Sequence, residues 1–130
     1  MIEPKPRYGT AKAIGELSKE LNLLHERWMQ DWPFEVVNPD DIEKYIAHYR
    51  LIVDEDKKFL LMEGIIQATT EQRQRTDFEK YWNIIKPLLK DNFSIHEYSV
   101  FDWSCFESDD LTECWTITPN MRQLWAECQK

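Results

Sequence analysis

The sequence predicts an α+β fold, mainly α, with about four helices followed by an antiparallel β-hairpin and a short C-terminal helix. Three observations carry that expectation. As far as Leu89, apolar residues recur at steps of three and four, as buried helical stripes do. From Ser94 the period changes, and Ile95 to Phe106 and Leu111 to Thr118 are rich in aromatic and β-branched residues, as strands are. Between those runs lies Glu107-Ser108-Asp109-Asp110, polar and turn-favouring, which reads as the bend of the hairpin.

Residues 1–8, with two prolines and two basic residues, read as a loose leader to a single globular domain over 9–130. Helix one starts after Gly9, with Thr10 as N-cap, and carries Ile14, Leu17, Leu21, Leu24 and Trp28 on one stripe before Pro33 closes it. Helix two opens at Asn38-Pro39-Asp40-Asp41, where the asparagine caps, proline suits the first position and the acids meet the positive dipole end. Its apolar face is Ile42, Tyr45, Ile46, Tyr49 and Val53. Asp54-Glu55-Asp56 breaks it and opens helix three, with Phe59, Leu60, Met62, Ile65 and Ile66 inward. Gly64 costs that helix about 1 kcal/mol against alanine, and marks either a close crossing or the helix end. Thr76-Asp77-Phe78-Glu79 reads as a capping box for helix four, with Phe78, Tyr81, Trp82, Ile85, Leu88 and Leu89. Pro87 predicts a kink or break there, and Asp91-Asn92 the exit. In the hairpin, a bend centred between Asp109 and Asp110 sets Cys105 opposite Cys114 and Trp103 opposite Thr116. Phe101, Trp103 and Cys105 then share one face, and Val100, Phe106, Trp115 and Ile117 the other. Thr118-Pro119 opens the last helix, with Met121, Leu124 and Trp125 inward.

Composition narrows the function. A chain of 130 residues buries roughly two-thirds of its unfolded surface, and its 42% apolar content argues against disorder despite 31% charge. The three glycines, Gly9, Gly15 and Gly64, are scattered, so no phosphate-cradling loop is present. The formal charge is −8 and the basic residues are dispersed, Arg73 and Arg75 forming the one modest cluster. Direct nucleic-acid binding is therefore not expected, and a basic partner fits better than an acidic one. Acidity also simply keeps a protein soluble. Three cysteines exclude a fully paired disulfide framework. The start of the chain lacks a signal peptide's apolar core, and no apolar run approaches the roughly 18 residues of a membrane span. The reading is cytoplasmic, with reduced thiols and no membrane.

From Phe93 to Trp125, seven aromatic rings and six carboxylates face one arginine, Arg122. Rings supply contact area at low entropy cost, and unpaired carboxylates set a negative field. The expectation is a small acidic non-enzymatic interaction protein, inhibitor-, immunity- or adaptor-like. It docks a basic protein partner through an aromatic-acidic hairpin, with Trp103, Phe106, Asp109, Asp110, Glu113 and Trp115 as partner-binding residues. The stripe from Ile14 to Trp28 also permits a homodimer. The alternative is a small cofactor-independent enzyme, with a Cys/His/carboxylate site between the hairpin and helix two. Its catalytic candidates are His48, Asp102 beside Trp103, and Cys105, because a thiol or carboxylate needs an activating neighbour and partial desolvation. No metal or other cofactor is expected. Cys105 and Cys114 stand nine residues apart with no tight ligand pair, and His96 falls on the strand side opposite Cys105.

Overall fold

The computed structural model describes residues 2–24 and 32–129. Among them there is no strand, so the expected α+β class and its β-hairpin are overturned: the protein is helical. The helices are α1 (Ala11–Glu20), α2 (Trp32–Val36), α3 (Ile42–Tyr49), α4 (Glu55–Thr70), α5 (Arg75–Asp91), α6 (Phe93–Trp103) and α7 (Thr118–Cys128). Short 3₁₀ turns occupy Pro39–Asp41 and Leu111–Glu113. The chain forms two compact units: Tyr8–Thr69 makes one, and Met1–Arg7 joins Thr70–Lys130 in the other.

In the Tyr8–Thr69 unit, Thr10 caps α1, its hydroxyl accepting from the Ala13 amide at 3.1 Å. The helix is shorter than its stripe implies. It ends at Glu20, and Asn22 adopts the left-handed φ of 54° that short polar side chains tolerate best. Leu24 is exposed, and Trp28 lies outside the described residues. Pro33 closes nothing: it sits in the first turn of α2, where its missing N–H leaves no bond unmade. The Trp32 indole donates to the Leu24 carbonyl at 2.7 Å. Asn38 accepts from the Asp40 amide at 2.9 Å and caps the 3₁₀ turn that leads into α3. Ile42, Tyr45, Ile46 and Tyr49 are buried, whereas Val53 projects into solvent. Asp54 starts α4 by accepting from the Lys57 amide at 2.9 Å. Every residue of α4 from Phe59 to Ile66 is buried, as on a helix without a solvent face. Gly64 marks a close approach, since a Cβ there would stand 2.8 Å from Val37 Cγ1.

In the other unit, α5 begins at Arg75, one residue before the expected capping box, so Thr76 lies inside the first turn. Glu79 accepts from Arg75 Nε at 3.0 Å instead of turning back to the backbone. Pro87 does not end the helix, which continues to Asp91. Asn92 alone separates α5 from α6. Residues predicted as the first strand thus form a helix whose buried positions are Ile95, His96, Ser99, Val100 and Trp103. That spacing is helical, but two of its members are polar, which hides the stripe from an apolar count. Packing of α6 with α5 and α7 overrides the strand preference of Ile95, Val100 and the aromatics. Met121, Leu124 and Trp125 of α7 are buried.

Candidate functional site

The expected hairpin is replaced by a loop, residues 104–117, between α6 and α7. Cys105 ends α6 in the left-handed conformation, φ 53°, the place where a helix usually stops on glycine. Its N–H donates to the Asp102 carbonyl at 3.2 Å. Arg122, projecting from α7, then fixes the loop backbone. Its Nε donates to the Ser104 carbonyl at 2.7 Å, and Nη2 to the carbonyls of Cys105 at 2.7 Å and Ser108 at 2.9 Å. The guanidinium also lies 5.6 Å from the Phe106 ring centroid, within cation–π range.

Asp110 shapes the middle of the loop. One carboxylate oxygen accepts from the Thr112 amide at 2.9 Å and the Thr112 hydroxyl at 2.6 Å, capping the Leu111–Glu113 turn. Those bonds favour the charged form and lower its pKa, the hydroxyl contributing most. Ser108 Oγ accepts from the Asp110 amide at 3.2 Å and lies 3.3 Å from Glu113 Oε2. The return to α7 runs through Thr118, whose buried hydroxyl donates to the Trp103 carbonyl at 2.9 Å and accepts from the Trp115 amide at 3.2 Å.

The rings of this segment separate into two groups. Phe93, Phe101 and Phe106 surround Trp125 with centroid distances of 6.1, 5.4 and 6.3 Å. Trp103 and Trp115 pair at 4.6 Å, contrary to the opposite faces a hairpin would give them. Trp103 is buried and supports Trp115 from beneath, so it offers no surface to a partner. Phe106 is half-buried. Trp115 is 41% exposed and Leu111 48% exposed. Glu107, Asp109, Asp110 and Glu113 are exposed on the same loop, and among the described residues none of the four carboxylates is in an ion pair.

The catalytic candidates fall differently. His48 belongs to the Tyr8–Thr69 unit, where its Nε2 is 2.7 Å from Glu20 Oε1 and Lys57 engages the second oxygen of the same carboxylate. Asp102 is at the end of α6, with its pKa raised by desolvation and then by the Glu107 charge. Cys105 and Cys114, predicted to face each other across strands, do meet, Sγ to Sγ at 2.7 Å, but across the loop. The Cys105 thiol is pushed up to about 12, chiefly by its contact with Cys114, then by burial and the Glu107 charge. Its resting form at neutral pH is the protonated thiol, so it attacks only after a neighbouring group takes the proton. Among the described residues, no group of three or more His, Cys, Asp or Glu side chains is placed to hold a metal.

Sequence reasoning missed Leu111 as an exposed apolar residue and Arg122 as the brace of the loop. The isolation of Arg122 among acids marks it in the sequence, but bonds to backbone carbonyls leave no trace in residue spacing. No helix among the described residues is long and apolar enough to cross a membrane. Comparison with protein-family profiles, with curated proteins and with solved structures returns no match.

Proposed function

We propose that this chain is a non-enzymatic interaction protein that docks a basic protein surface through the loop from Glu107 to Trp115. One observation carries the reading: Leu111 and Trp115 stand exposed on a loop with four carboxylates that have no cationic partner among the described residues, and the loop's backbone is held in place. An apolar centre with a charged rim is the anatomy of a protein interface, and a pre-ordered loop loses little entropy on binding. The negative rim would steer a cationic partner and reject acidic ones. The high pKa of Cys105 speaks against the enzymatic alternative at that residue.

The test begins with capture of partners on the full chain, followed by titration of each purified partner against wild type and variants. Trp115→Ala is expected to lose about 2 kcal/mol of binding free energy, the scale of an interface hot spot. The double variant Asp109→Lys with Glu113→Lys spares the Asp110 cap and should slow association. Circular dichroism would establish that both remain folded. Partners bound equally well by wild type and by both folded variants would refute the proposal.

A further inference from the structure

We propose that Cys105 and Cys114 form a reversible dithiol–disulfide site, oxidised by low-molecular-weight disulfides of the glutathione class. Both cysteines are free thiols whose sulfurs lie 2.7 Å apart, closer than two unbonded sulfur atoms rest. The pair is asymmetric in the way thiol exchange requires: Cys114 is partly open to solvent, and Cys105 is buried beneath the loop. The buried thiol is held in place by its backbone: Cys105 occupies the left-handed position that stops α6, and Arg122 Nη2 donates to its carbonyl at 2.7 Å.

The exchange balances as follows. The Cys114 thiolate attacks one sulfur of the oxidant and expels one small thiolate, leaving a mixed disulfide on Cys114. Cys105 then gives up its proton, for which the Glu107 carboxylate 3.7 Å from its sulfur is an acceptor. Its thiolate attacks the Cys114 sulfur and expels the second small thiolate. Two protein thiols are oxidised, one small disulfide is reduced to two thiols, and a protein disulfide joins residues nine apart. The high pKa of Cys105 is consistent with this order, since the exposed thiol reacts first and the buried one resolves.

Trypsin makes the test direct, because cleavage after Lys90 and Arg122 leaves both cysteines in one peptide, residues 91–122. The reduced full chain is incubated with mixtures of reduced and oxidised glutathione, quenched with acid, alkylated, digested and weighed. In oxidising mixtures this peptide should appear unalkylated and lighter by two hydrogens, and should return to the doubly alkylated form after reduction. Cys128→Ser should behave like wild type, while Cys105→Ser should stop at a glutathione adduct on Cys114. Native chain should close the bond at least about tenfold more readily than chain in urea, because folding raises the effective concentration of the two thiols. A doubly alkylated peptide in every mixture, a lasting glutathione adduct in wild type, a bridge to Cys128, or equal closure in urea would each overturn the proposal.

Discussion

Arg122 shows how much one side chain can carry. Its guanidinium supplies donors to three carbonyls at 2.7–2.9 Å, and a lysine could not reproduce that fork. Arg122→Lys is expected to lower stability by about 1.5–3 kcal/mol, the range for hydrogen bonds to a charged group, as read from urea unfolding. Glu20 gives a pH-dependent counterpart. Hydrogen bonding from Lys57, and then from His48, holds its carboxyl below the ordinary value of 4.5. A carboxyl whose folded pKa is depressed contributes stability that is present above its unfolded pKa and lost as pH falls through the folded one. The stability gap between wild type and Glu20→Gln should therefore narrow as pH falls below about 4.5 and close in stronger acid. A gap independent of pH would show that the ion pairs contribute nothing.

At the level of elements, Gly64 sets two effects against each other. Alanine in a helix gains about 1 kcal/mol over glycine, but overpacking typically costs about 1–3 kcal/mol. The obstructing atom is a methyl of Val37, a stiff β-branched side chain, so Gly64→Ala is expected to destabilise. Adding Val37→Ala should remove the clash and recover stability relative to Val37→Ala alone, a sign reversal that a double-mutant cycle would detect. Elements with ordinary punctuation were legible in the sequence: the Thr10 cap, the Asn38-Pro39 start and the apolar face of α3 each rest on local chemistry. Segment 93–103 was not, because its inward face includes His96 and Ser99 while Phe93, Tyr98 and Phe101 remain half-exposed. The residue types there favour a strand, and only their packing against the neighbouring helices α5 and α7 makes the segment helical. The encounter of Cys105 with Cys114 is expected from a hairpin register that does not exist; the thiols meet because the chain turns at 104–107 and again at Leu111–Glu113. The thiols are therefore close for a reason other than the one the sequence suggests.

On the scale of the whole chain, the unit that holds the acidic loop is discontinuous, since residues up to Arg7 belong with Thr70–Lys130. Arg7 Nη1 donates to the Ile95 carbonyl at 3.4 Å, and a cleft of about 280 Å³ is lined by Pro4, Lys5 and Arg7 together with Ile95, Glu97 and Tyr98. A second cleft brings Glu3 beside Phe101, Phe106 and Glu107. Removing residues 1–7 should therefore loosen α6 by about 1 kcal/mol, seen as roughly fivefold faster amide exchange from Ile95 to Phe101. Unchanged exchange there would show that the N-terminal segment lends no support. The net charge of −8 bears on association in the same way: the on-rate for a cationic partner should fall steeply with added salt. Arg122 separates these two behaviours. Its hydrogen bonds end on neutral peptide oxygens rather than on carboxylates, so the brace beneath the acids holds no ion pair for added salt to screen. Under the proposed docking, added salt should therefore slow association while the backbone that presents Leu111 and Trp115 keeps its geometry.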